Sequence, residues 1–291
     1  MPVREILLGI LAPAVMAGVF FGVSRAFRPV SLAIILGVGG PVLLVFALFI
    51  GWPNFPPTDA SQRFFYATAA CMFIALLHTA LKDRRAARPI MPVLFAALVC
   101  VPLLILWSQL AFSTQAAGAL STTESWFWVF GAGLAIAALA AGLETLAARA
   151  PGAGVSLSWW LVSAGTSAAL LISTSAKGTQ LAAALAAAMG AAVVAGWIWK
   201  TFSLTQGGGR VFAGILGGLV LFGYHFAKLP ALSAVLLLSA PLFGWLVELP
   251  WFQKRKPWQR ALIRMAVCAL PLGLAVFLAL KANPIEEDAY G

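Results

Sequence analysis

Charge is what this chain has least of: 10% of its 291 residues are Asp, Glu, Lys or Arg, where a soluble domain carries roughly 25%. A soluble core made from its 62% hydrophobic residues would have nothing to cover it, so lipid must be the solvent. Acid is scarcer still, with 9 Asp and Glu against 19 Lys and Arg, and there are only 2 histidines. A proton relay through a bilayer needs acids or histidines at several depths, and the chain does not supply them. Cysteine is equally sparse. Cys71, Cys100 and Cys268 lie in apolar stretches without CxxC spacing and read as small buried hydrophobes. No metal-ligand cluster, nucleophile constellation or phosphate loop stands out, so the sequence names no catalytic, cofactor-binding or metal residue. There is also no room for a soluble domain. The longest connections, near 53–63, 113–124, 200–210 and 250–260, are each about a dozen residues.

What fills the chain is apolar sequence, with a mean hydropathy of +0.96. A helix crosses the hydrocarbon with about 20 apolar residues. Ten spans can be drawn, at 5–23, 31–51, 64–81, 90–112, 126–147, 155–175, 180–199, 211–227, 231–248 and 261–280. The first could be mistaken for a signal peptide, but its apolar run is too long and its cleavage site poor, so it reads as a retained span. The expected fold is all-α, a polytopic bundle forming one membrane domain over 1–291.

Positive charge gives that bundle a direction. Arg25, Arg28, Lys82, Arg84, Arg85, Arg88, Arg149, Lys200, Arg210, Lys254, Arg255, Lys256, Arg260 and Arg264 fall in or beside alternate connections. Only Arg4, Arg63, Lys177, Lys228 and Lys281 fall on the other side. The positive-inside rule then puts both termini outside the cytoplasm. A net charge of +10 would suggest nucleic acid in a soluble protein; flanking hydrophobic spans, it points to anionic lipid headgroups instead. Ten of the 11 tryptophans, Trp245 excepted, lie at or near span ends, where an indole finds both an apolar face and a hydrogen-bond partner.

Small residues suggest how the helices pack. Gly18 with Gly22, and Gly214 with Gly218, are GxxxG pairs, and the seventh span is mostly Ala and Gly. In lipid, close backbone approach supplies packing energy, so the first, seventh and eighth spans are expected to be central. Ten spans divide into halves of five, 1–150 and 151–291, with opposite topology, as in inverted-repeat transporters. Pro102 and Pro241 occupy equivalent positions in the two halves, and Gly37-Val38-Gly39-Gly40-Pro41 predicts a kinked or unwound second span. No residue-level similarity links the halves.

Ionisable groups inside the spans are few. Glu144 lies about a turn from Arg149, Glu248 next to a basic connection, and His78 a turn before Lys82; all three read as groups that snorkel or pair at the interface. Gly207-Gly208-Gly209-Arg210 lacks the GxxxxGK[ST] pattern and reads as a flexible turn. Thr58 or Asp59 is placed to cap the third helix. The candidate polar site lies on the outer half. Ser163, Thr166, Ser167 and Thr174 share a face of the sixth span, Lys177 follows, and Tyr224, His225 and Lys228 end the eighth. Together they could line a cavity suited to an anion. Alternatively the hydroxyls bond their own helix carbonyls and the lysines simply end helices.

Three stretches carry a resemblance: Phe55-Pro56-Pro57-Thr58-Asp59, the run from Gly223 to Pro250, and Lys256-Pro257-Trp258-Gln259-Arg260-Ala261. With them the chain resembles an uncharacterised family of bacterial multi-pass membrane proteins. The resemblance implies an inner-membrane location and no catalytic residues. In layout alone it is similar to the drug/metabolite transporters, which are expected to keep both termini in the cytoplasm, against the charge pattern here. Two functions remain open: a small-molecule permease or flippase-like transporter, and a non-catalytic subunit or scaffold with other membrane subunits as partners. A lipid-modifying enzyme would need His225, with Tyr224 and Lys228, over the headgroups.

Overall fold

The computed structural model describes residues 7–26, 30–81 and 122–284. Among these residues nine helices are long and apolar enough to cross a bilayer and none is a strand; the chain is a multi-pass integral membrane protein. Helix α1 is Ala12–Ala26, entered through a π-helical turn at Leu7–Leu11. Then come α2 Val30–Phe49, α3 Ala60–Leu81, α4 Thr122–Arg149, α5 Ala153–Ile172, α6 Ala176–Ile198 and α7 Gly208–Phe226. Helix α8 starts as Ala231–Ser239 and continues as a 3-10 helix, Ala240–Glu248. A turn of helix at Pro250–Gln253 leads to α9, Pro257–Ala282. The expected span 90–112, with Cys100, Pro102 and Trp107, lies outside the described residues. So do Arg4, Arg28, the basic group from Lys82 to Arg88, and Glu286-Glu287-Asp288.

The helix ends sort into two faces. On one, the Gly152 amide donates to the Phe202 carbonyl at 2.7 Å, the Ser203 hydroxyl to Ala147 at 2.8 Å, and the Gly207 amide to Glu144 at 2.9 Å. Phe21, near the end of α1, meets Phe202 edge-on at 5.3 Å. This is the basic face, carrying Arg149, Lys200, Arg210 and the connection from Pro250 to Lys256. On the opposite face Lys177 meets Ser61, and Asn283 donates to the Lys228 carbonyl. Helix α3 ends at the basic face, where Thr79 lies beside Gly207. Helix α4 begins at the opposite one, where Trp128 meets Tyr224 and His225. Leu81 and Thr122 thus stand at opposite ends of the bundle, as a ten-span layout requires.

The centre is α7, which packs on α2, α3, α4, α6 and α8. Its glycines explain how so many neighbours fit. A Cβ at Gly214 would sit 2.8 Å from the Cys71 sulfur on α3, one at Gly217 2.5 Å from Ile136 on α4, and one at Gly209 2.9 Å from the Glu144 backbone nitrogen. The GxxxG pair of α7 therefore seats α3. The matching pair on α1 does not work this way. Gly18 has nothing within 4 Å, and Gly22 meets only the Trp199 ring at 3.9 Å. Helix α1 is peripheral, with Val15, Val19 and Val23 exposed on its outer side. The expectation that it is central is corrected: a small-residue pair permits close approach but does not say that a partner arrives.

Helix α2 brings a second correction. It runs unbroken through Pro41 rather than unwinding at Gly37-Val38-Gly39-Gly40. Side chains fill the space that the missing Cβ atoms leave: Phe21 at Gly37, Met72 at Gly39 and Met16 at Gly40, each within 2.8 Å of the absent Cβ. The glycines serve packing, and helix integrity survives one proline when neighbours are this close. The break falls in α8 instead, at Ala240 and Pro241. Nor do the halves pair alike. Helix α9 lies along α5, but its counterpart α4 lies along α7 rather than along α1.

Candidate functional site

The charged groups of the described spans gather at the two faces. Glu144 is on α4 a little over one turn from its end and has 10% of its side chain exposed. Gly207, at φ +107, takes the left-handed turn that starts α7, and its amide donates to Glu144 Oε1 at 2.9 Å. Arg210 Nη1 lies 3.4 Å from the same oxygen, and Oε2 is buried without a hydrogen-bond partner. A carboxylate at a helix N-terminus complements the helix dipole. Gly207-Gly208-Gly209-Arg210 is therefore an anion-receiving helix start whose anion is the chain's own Glu144, and not a flexible turn. Arg149, the nearest cation in sequence, is not the partner of Glu144. Arg149 instead stacks 4.9 Å over the Trp245 ring, whose Nε1 donates to the Gly142 carbonyl at 3.2 Å.

A second cluster closes α8 onto α9. Arg260 and Arg264 are four residues apart, hence on one helical face, and both reach Glu248, the last residue of the 3-10 segment. Arg260 Nη2 is 3.0 Å from each carboxylate oxygen, Arg264 Nη2 donates to Oε1, and Arg264 Nε lies 3.4 Å from the Gly244 carbonyl. Arg264 is buried, with 2% exposure, while the Arg260 side chain keeps 27%. The signal in the sequence was a carboxylate at a span end followed by arginines at helical spacing.

On the opposite face Asp59 caps α3. Its Oδ1 accepts from the Gln62 amide at 2.7 Å and the Ser61 hydroxyl at 2.8 Å, while Lys177 Nζ lies 3.6 Å from Oδ2. Partial burial pushes this carboxyl up, but the Gln62 amide, the Ser61 hydroxyl and the Lys177 ammonium together outweigh it and hold it below the ordinary 3.8. The carboxyl's folded value is the lower one, so its stabilisation is present at neutral pH and fades as pH falls through that depressed value. Amide exchange should show this. Protection of Gln62 holds down to the usual aspartate range and collapses below it, whereas Asp59→Asn makes it insensitive to pH there; equal profiles would refute the cap.

The proposed cavity residues divide among separate partners. Ser163 donates to the Trp159 carbonyl at 2.8 Å and Thr166 to the Val162 carbonyl at 2.9 Å, both fully buried. Ser167 crosses to the Thr179 carbonyl of α6 at 3.0 Å. Thr174 is an exposed turn residue at φ +65. Lys177 faces Asp59, and Lys228, exposed at φ +50, gives its carbonyl to Asn283. Tyr224 and His225 are brought together, with ring centroids 4.5 Å apart, and each packs on Trp128 at 5.5 Å. Trp128 was read from sequence only as an interfacial residue. No group of three or more His, Cys, Asp or Glu among the described residues is arranged to hold a metal. Comparison with known protein families, with curated proteins and with solved structures finds no match.

Proposed function

We propose that the chain is a transporter of a small organic solute across the bacterial inner membrane, with its basic face in the cytoplasm and both termini outside. The observation carrying this reading is the change of geometry inside α8, where an α-helix gives way to nine residues of 3-10 helix at Ala240–Glu248. Pro241 has no N–H to give the Leu237 carbonyl, so the α ladder loses a bond there. Runs of 3-10 helix beyond three or four residues are uncommon and often mark a hinge, and transporters build their sites at interrupted membrane helices. At about 2.0 Å rise against 1.5 Å, nine residues returning to α geometry would draw Glu248 in by about 4.5 Å. The moving segment carries Trp245 and Glu248, the ties to α4 and α9. A change in α8 therefore opens the basic face.

The test is flux in proteoliposomes. A radiolabelled small-molecule extract of bacterial cells is loaded, and its protein-dependent exit is followed. In a background lacking the native cysteines, Gly142→Cys with Leu242→Cys should crosslink, since a Cβ at Gly142 would lie 3.1 Å from Leu242 Cδ2 and the two side chains therefore point at each other. Oxidation is expected to stop the flux and reduction to restore it. Exit no faster than from protein-free liposomes would end the reading. In that event the second reading, a subunit of a larger membrane assembly, stands on the broad outward face of α1. Of that span 22% is buried, against 67% for α7, and it predicts stoichiometric partners in mild detergent.

A further inference from the structure

The connection from α8 to α9 holds cations with almost nothing to balance them. Lys254, Arg255 and Lys256 are exposed, Arg260 and Arg264 follow, and among the described residues Glu248 is the one carboxylate in an ion pair with any of the five. Sequence offers no other acid before Glu286. The contrast with α7 is instructive, because there a helix start and its arginine receive Glu144. Helix α9 starts at Pro257 with Lys256 before it and no acid in its first turn, so its positive end adds to the surplus rather than meeting an anion. Arg264 is buried against Gly244 and Glu248, but Arg260 spends Nη2 on Glu248 and stays partly exposed. The flanking side chains are apolar and uncovered: Trp251 is 87% exposed and Trp258 60%, with Leu249 and Leu262 beside them. Cations framed by exposed indoles suit one environment, the plane where phosphates meet acyl chains.

We propose that residues 251–260 form a binding site for the headgroup of an anionic phospholipid of the adjacent leaflet, its phosphate held by Lys256 and Arg260 at the start of α9. Trp251 and Trp258 seat at the glycerol level on either side. Lys254 and Arg255 supply attraction without a fixed contact. Because Arg260 also holds Glu248, an arriving phosphate shares that guanidinium with the end of α8. The ligand is a phosphodiester on a lipid. A free phosphate has the same charge but gains nothing from the indoles.

The site is tested on the full chain. Purified protein, stripped of lipid in detergent, is titrated with phosphatidylglycerol or phosphatidylcholine, and bound lipid is counted by native mass spectrometry. Wild type is expected to bind phosphatidylglycerol in preference. Lys254→Gln, Arg255→Gln and Lys256→Gln together, all at exposed positions, should weaken it on the order of 100-fold, since each cation near the surface contributes about a factor of five. Lys200→Gln, an exposed cation elsewhere on the same face, should leave it unchanged. Three results would overturn the proposal: equal binding of the two lipids, no loss in the triple variant, or displacement of the lipid by inorganic phosphate, which would make this a site for a soluble anion. The readout is binding alone, so it stands or falls separately from solute flux.

Discussion

Glu144→Ala is expected to lower the stability of the detergent-purified protein by about 3–5 kcal/mol, roughly 10 °C in thermal midpoint. The carboxylate and the Arg210 side chain are each only 10% exposed, so water cannot replace what the substitution removes. The loss has two parts. The Gly207 amide at the start of α7 forfeits its acceptor, and the buried guanidinium forfeits the charge it faces. Glu144→Gln keeps the acceptor and loses the charge, so it should fall between wild type and Glu144→Ala. The double change Glu144→Ala with Arg210→Ala should cost less than the two single changes combined, because the buried charge goes with its partner. Tryptophan fluorescence on heating reads the wild type and all four variants, Arg210→Ala included. Additive losses, or a Glu144→Ala midpoint within a degree or two of wild type, would show that the pair does not tie α4 to α7.

Gly196→Leu should be as damaging, through shape rather than charge. A Cβ at Gly196 would stand 2.7 Å from both the Ala153 nitrogen and the Gly152 carbonyl carbon. These are backbone atoms, which no rotamer change can move aside. Overpacking usually costs about 1–3 kcal/mol; here α6 must separate from the first turn of α5, so about 3 kcal/mol or more is expected. The hydrogen bond from the Gly152 amide to the Phe202 carbonyl lies next to the disturbance. Gly18→Leu provides the control, since nothing approaches that glycine within 4 Å. The first variant should fail to give a monodisperse peak at a temperature where the second is indistinguishable from wild type. Equal behaviour would mean that the two glycines do the same job and that the α5–α6 contact is not tight.

Those two glycines also show what a sequence can and cannot reveal here. Length and hydropathy placed the described spans to within a few residues, because about 20 apolar residues are needed whatever the fold. The cap at Asp59 was legible for the same reason: a helix start must satisfy its amides locally. Partners across the bundle were not legible. Gly18 with Gly22 and Gly214 with Gly218 are the same pattern, yet only the second meets another helix closely. Glu144 stood five residues from one arginine and paired with another 66 positions away. The stretch from Gly37 to Pro41 promised a break, but dense neighbours kept α2 continuous; the change of form came in α8 at Pro241, which the sequence marks only as the counterpart of Pro102. For the candidate site the hydroxyl face of α5 was legible, but its use was not. Ser163 and Thr166 bond to carbonyls of their own helix, which no periodicity distinguishes from lining a cavity.

One dimension of the bundle has a bearing on the lipid around it. The apolar part of α4, Trp126–Arg149, has 24 residues and α5 has 20, about 36 Å and about 30 Å at 1.5 Å per residue. A hydrocarbon slab about 30 Å thick fits α5 standing upright. It fits α4 only if that helix leans or if the acyl chains beside it stretch. Phe127, Phe130 and Leu134 face outward along the first part of α4, so the longer path is dressed for lipid rather than for water. The membrane therefore meets a rim of uneven height, and thinning it strains one flank of the protein before the other.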